Sequence, residues 1–283
     1  IVDLSKATVL PGLIDCHDHL SLSVEAGPLI KQLVVNTAYD EAFNSTGYVR
    51  RTLHAGFTSV RDVGGYTPVM VALKKAIAAG KVEGPRLWVA GGVIAPTDGH
   101  GDYSNGLDPT LHKPQWDDNV VNGAEEAIRM VRQRHKDGAD LIKISVSGGM
   151  TSDGDDPRAQ LFTDAEIKAF VDTAHTLGMK VAAHAHGKEA IEHASKLGVD
   201  SIEHGTFADE ETYKIMKGNG TYLVPTMLAG EATAEYMRAH PGQLSPSATE
   251  KILSLGPLTG RNVANAYKAG VKIAFGTDTS ASP

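Results

Sequence analysis

Residues 180–204 read KVAAHAHGKEAIEHASKLGVDSIEH. The stretch opens with a short apolar run, Lys180 to His184, that ends on an imidazole, and it closes with another, Ser201 to His204, that ends the same way. Between them Lys188 to Leu197 repeats apolar residues at helical spacing and stops at Gly198, which takes a left-handed turn at little steric cost. Two parallel strands cannot be joined by a tight turn and need a crossover, usually a helix. The segment is therefore a βαβ unit.

The same alternation runs along the whole chain. Strand-like runs occur at Leu13 to His19, Phe57 to Val63, Arg86 to Ile94, Leu141 to Val146, Lys180 to His184, Ser201 to His204, Thr221 to Pro225 and Lys272 to Thr277. Pro68 to Ala79 reads as a helix that stops at Gly80. Thr163 and Glu166 form a capping box ahead of an apolar stripe, Ile167, Phe170, Val171 and Ala174. Eight strands with intervening helices predict an α/β fold, a (β/α)8 TIM barrel, and 283 residues suffice for one such barrel of about 250 residues. Two polar stretches, Pro96 to Asp118 and Ser147 to Gln160, are too long for plain connections and belong on the catalytic face. Ile1 to Val9 reads as a lone strand with nothing to pair against. No helix is expected in the five residues after Asp278, so the chain reads as an internal segment of a longer protein.

Composition narrows the function. A net charge of −7 argues against a nucleic-acid partner, and no apolar run approaches the roughly 18 residues of a membrane span. The single cysteine, Cys16, rules out an intramolecular disulfide framework but leaves the compartment open.

The ends of five strands carry ligand-type side chains. His17 and His19 are one residue apart on a strand, so both rings face one side. Lys143 sits among apolar neighbours in Leu-Ile-Lys-Ile-Ser, where burial favours the neutral amine. A neutral amine can take up carbon dioxide and become a carbamate with two metal-bridging oxygens. His184, His204 and Asp278 end three further strands. A second H-x-H pair adds His186, but the strand register favours His184, so His186 is read as a supporting group or a loop residue. The expected division gives His17, His19 and Asp278 to one divalent metal and His184 and His204 to another, most naturally zinc. Carbamylated Lys143 and a hydroxide bridge the two, and Asp278 shuttles the proton.

These motifs, Pro11 to His19, Lys143, Val181 to Gly187, Ile202 to Gly205 and Gly276 to Asp278, together resemble the amidohydrolase superfamily of binuclear metal-dependent hydrolases. The resemblance implies that residues 1–10 are the remnant strand of a small composite β-sandwich, with the barrel over 11–283. A narrower likeness rests on Gly99 to Asp102 and on Ser147 through Phe162, which resemble the Xaa-Pro dipeptidase, Lys/Arg carboxypeptidase and ochratoxin-amidase group. That likeness implies a small-molecule substrate, an N-acyl amino acid or dipeptide with a free carboxylate, contacted by His100 and Arg158. Neither excludes a homo-oligomer. A cyclic-amide or imidazolone hydrolase, a deaminase, a phosphotriesterase or lactonase, and a metal-binding barrel without turnover are the alternatives.

Overall fold

A computed structural model describes residues 3–23 and 28–279 of the chain, the side chain of Leu29 excepted. The strands are β1 (Leu13–Asp18), β2 (Phe57–Asp62), β3 (Arg86–Val89), β4 (Leu141–Ser145), β5 (Lys180–Ala185), β6 (Ser201–His204), β7 (Tyr222–Val224) and β8 (Lys272–Ile273). The α-helices are α1 (Leu29–Val35), α2 (Ala38–His54), α3 (Thr67–Ala78), α4 (Pro114–Asp117), α5 (Ala124–Asp137) and α6 (Asp164–Thr176). They continue with α7 (Lys188–Lys196), α8 (Glu210–Asn219), α9 (Met227–Ala239), α10 (Pro246–Leu255) and α11 (Val263–Ala269).

Every neighbouring strand pair is parallel, in the orders β1-β2-β3 and β4-β5-β6-β7-β8. Backbone hydrogen bonds join the two sheets at both seams. Between β3 and β4, Asp140 N–H donates to Val89 at 2.8 Å and Ile94 N–H to Lys143 at 3.0 Å. Between β8 and β1, Cys16 N–H donates to Phe275 at 2.9 Å and Asp278 N–H to His17 at 2.7 Å. The eight strands thus close on themselves. β3 is shorter than the expected Arg86 to Ile94 because Gly91 turns the chain at φ 76°.

The helices obey the signals that announce them. Thr163 caps α6 through the reciprocal bonds of its capping box, and Ile167, Phe170, Val171 and Ala174 are its buried residues. That face packs with Ile142, Ile144, Val181, Ile191 and Ile202 in the largest apolar cluster, between barrel and helices. Each fully buried Ile or Phe contributes about 1.5–3 kcal/mol of transfer free energy.

Residues 3–9 form no strand; Ala7 N–H instead donates to Leu4 at 3.0 Å in a turn. A strand without a neighbour has no partner for its backbone groups, so a local turn is the alternative. Residues 1, 2 and 280–283 lie outside the described residues, and with them the question of a final helix. A long excursion follows β7, where α9, α10 and α11 come before β8.

Candidate metal centre

The strand register delivers the expected side chains to one rim. His17 lies near the end of β1 and His19 just beyond it; Lys143 is central in β4, His184 is in β5, and His204 closes β6. Two clusters result, His17 with His19 and Asp278, and His184 with His186 and His204, and within each the donor atoms lie within 4.8 Å of one another. His19 Nε2 is 3.3 Å and His17 Nε2 3.7 Å from Asp278 Oδ1. The clusters adjoin, with the His17 and His204 ring centres 4.9 Å apart. Lys143, 2% exposed, lines the same cavity. Two of the six residues are delivered by left-handed backbone, His204 at φ 70° and Asp278 at φ 59°, a conformation that costs a non-glycine residue about 1–3 kcal/mol and that collects at functional sites.

His186, which the sequence reading left outside the ligand set, lies with the second cluster. Its ring comes beside those of His184 and His204, because one residue past a strand the two-residue period still turns it to the same side. Its ring centre is 4.7 Å from that of His184 and 4.8 Å from that of His204.

Each imidazole uses one nitrogen to fix its orientation. His17 Nδ1 bonds Glu203 Oε2 at 2.7 Å, His19 Nδ1 the Gly64 carbonyl at 3.1 Å, His186 Nδ1 Thr206 Oγ1 at 2.8 Å and His204 Nδ1 Thr226 Oγ1 at 2.7 Å. His184 is reversed, with Nε2 on the Gly148 carbonyl at 3.1 Å. The other ring nitrogen of each is the atom a metal would use, an arrangement that would hold tautomer and ring direction together. Glu203, which the sequence reading passed over, anchors this shell: it also receives Arg61 Nη2 at 2.7 Å and Ser201 Oγ at 2.5 Å. A carboxylate inside a four-residue strand was the available signal.

Electrostatics follow from burial and neighbours. Burial would raise the pKa of Glu203, but the Arg61 guanidinium and the bond from His17 outweigh it and hold the carboxyl well below its usual range. Asp278 is likewise held low, burial being outweighed by His17, His19 and Lys143. Burial, together with the Lys143 charge, lowers His17 to about 4; burial and His100 lower His186 to about 3. Burial and neighbouring imidazoles hold His184 and His204 well below their ordinary value. Burial also pushes the Lys143 amine down to about 8, against the pull of Glu203 and Asp278. Neutral imidazoles beside an ionised carboxylate are the donor set that divalent cations require.

The centre forms the floor of a cavity of about 640 Å³, walled by apolar side chains that include Leu22, Tyr66, Val93, Trp116 and Ile252. His100 lines this cavity and stacks on His184 with ring centres 4.4 Å apart. Arg158 is not among the lining residues: it is exposed, and its guanidinium lies over the Phe207 ring at 4.6 Å. The Gly187 backbone approaches the Arg158 carbonyl so closely that a Cβ at 187 would lie 2.2 Å from it, so the bare glycine is what admits the loop at this point. No helix among the described residues is long and apolar enough to cross a membrane.

Comparison with known proteins agrees with this architecture. Ochratoxinase of Aspergillus niger is 33% identical over 287 residues, covering 96% of this chain and 58% of that enzyme, so the chain spans less than two thirds of this relative. The crystal structure of a Xaa-Pro dipeptidase with methionine in its active site superposes with a TM-score of 0.90 at 41% identity, covering 97% of this chain and 67% of that one. A prolidase complexed with N-methylphosphonate-L-proline gives a TM-score of 0.85 at 32% identity, covering 98% and 69%. The sequence model of the Amidohydrolase family matches residues 8–282, and this chain belongs to that family.

Proposed function

We propose that the protein is a binuclear metal-dependent amide hydrolase that releases the C-terminal residue from an N-acyl amino acid or dipeptide bearing a free carboxylate. The observation that carries the reading is the pair of adjoining donor clusters, His17/His19/Asp278 and His184/His186/His204, with Lys143 on the same cavity floor. These residues would hold two divalent cations, zinc suiting imidazole and carboxylate donors, which when bound acidify water and polarise a carbonyl.

The chain's own groups supply the rest. A Lys143 amine lowered to about 8 retains a neutral fraction near pH 7. Its lone pair can form an N–C bond to carbon dioxide with loss of one proton, giving a carbamate with two donor oxygens. Asp278, held ionised, is the group able to take a proton from the attacking water and pass it to the departing nitrogen. His100 faces the substrate from the cavity wall and is assigned to its carboxylate; Arg158, turned outward, is not. The apolar walls accept the acyl side. The substrate class is supported by the ochratoxinase, dipeptidase and prolidase relatives.

The test is a screen of N-acyl amino acids and Xaa-Pro dipeptides with the zinc-loaded protein, scored for free amino acid and paired with the same compounds capped as C-terminal carboxamides. Hydrolysis of the free acids at least about ten-fold faster than of the amides is expected, a charge-assisted contact being worth about 1.5–3 kcal/mol. Equal rates on both series refute the carboxylate requirement, and absence of bound metal refutes the whole reading.

A further inference from the structure

His100 is tied to a residue far from it in sequence and outside the cavity. Lys251, on α10, donates from Nζ to Asp155 Oδ1 at 2.9 Å, to the Asp155 carbonyl at 3.0 Å and to the Gly149 carbonyl at 2.8 Å. The Asp155 side chain is fully buried and that of Lys251 is 15% exposed, so the pair is largely withdrawn from water. The Asp155 carboxylate also accepts from Gly149 N–H at 3.1 Å and from Ser152 Oγ at 2.7 and 2.8 Å. Ser152 Oγ in turn lies 2.9 Å from His100 Nδ1.

A serine hydroxyl has a single proton. With that proton directed at Asp155, Oγ faces His100 as an acceptor, so His100 Nδ1 carries a hydrogen and donates. Nε2 is then the ring atom left for a ligand. The ring is held on both faces: it stacks on His184, and a Cβ at position 149 would lie 2.0 Å from its Nδ1, so the bare Gly149 backbone is what admits it. His100 and Ser152 line the cavity, whereas Lys251 and Asp155 do not.

We propose that Lys251 and Asp155 are positioning residues that act through Ser152 to set the rotation and tautomer of His100. The inference rests on the proposed role of His100 as a substrate contact. It makes the excursion after β7 part of the recognition apparatus. Because the two charges cancel, the support adds no net charge beside an anionic substrate.

The test removes both charges together, Lys251→Met with Asp155→Asn, so that no lone buried ion remains. For N-acetyl-L-methionine the KM is expected to rise about ten-fold, with kcat within about two-fold and metal content as in the parent. Lys251→Arg alone keeps the parental KM, and Ser152→Ala added to the double variant has no further effect, the signature of groups acting as one unit. An unchanged KM, or a loss confined to metal content, overturns the proposal. If the parent protein fails to hydrolyse the compound, the proposed function fails by itself. The relay is then read from the ¹⁵N shifts of the His100 ring: Nδ1-protonated in the parent and a tautomer mixture in Ser152→Ala sustain it, and identical shifts in both overturn it.

Discussion

A Glu203→Gln substitution alters almost no volume, yet the hydrogen-bond geometry makes it severe. The carboxylate serves three donors: Oε2 receives His17 Nδ1, and Oε1 receives Arg61 Nη2 and Ser201 Oγ. Glutamine offers one oxygen. Keeping that oxygen on Arg61 and Ser201 turns the NH2 toward His17, which must then accept at Nδ1 and carry its proton on Nε2, the atom proposed to bind a metal. The reverse amide orientation points two donors at Arg61. Breaking a buried ion pair from one side costs about 3–5 kcal/mol, and because Arg61 keeps 20% of its side-chain surface in water the low end, about 3 kcal/mol, applies. Disturbing the partner of a ligating histidine weakens metal affinity about 10–100-fold. Urea unfolding of the metal-free protein and zinc titration with a competing chelator measure the two terms separately. Parental stability and parental zinc affinity together would refute the claim that Glu203 sets the His17 tautomer.

Two further expectations follow from the same site. Lys143→Ala should abolish binding of two metals per chain and regain part of it with acetate or propionate, which metal analysis after gel filtration reads; full metal content without added acid removes the bridging role. The metal-free protein should lose stability as pH falls from about 6.5 toward 4. Histidines whose folded pKa is lowered, His17, His100, His184, His186 and His204, stay neutral when folded but take up protons when unfolded, so their contribution is present above 6.5 and lost below it. Asp15, raised to about 6, Asp62, raised to about 7, and Asp18 and Glu41, also raised by burial, act in the opposite sense, losing their contribution as pH rises. His19, raised by Asp278 against the effect of burial, acts that way above 6.5, so below it five imidazoles stand against four carboxyls. Each net proton gives about 1.4 kcal/mol per pH unit. Denaturation midpoints at pH 4.5 and 6.5 decide it, and a higher midpoint at 4.5 contradicts the assignment.

Much of the fold was legible because hydrophobic periodicity and helix signals agree: the Thr163 capping box, the Gly198 stop and the strand end at His204 stand where the pattern puts them, and β5 runs one residue past His184. Lys143 was legible as a charge among buried apolar neighbours. What escaped depends on contacts between distant segments. His186 joins its cluster through the bond its N–H makes to Ser147 Oγ at the strand end, and Glu203 is defined by β1 and β2 residues, His17 and Arg61. The direction of Arg158 is set by loop packing, which no local pattern records. The expected strand over Ile1 to Val9 relied on apolar content alone, without a pairing partner.

Among the described residues four non-glycine residues have positive φ, and three of them, His204, Thr226 and Asp278, follow or end successive strands at the metal-facing rim. At such positions glycine relaxes the backbone, so the fold and the site have opposed interests there. A library of this protein selected only for heat resistance would drift toward glycine at 204, 226 and 278, growing sturdier while discarding two candidate ligands and the hydroxyl that aims one of them. Retention of these three side chains in a population of stabilised variants would therefore measure how strongly turnover, as distinct from folding, has shaped the barrel mouth.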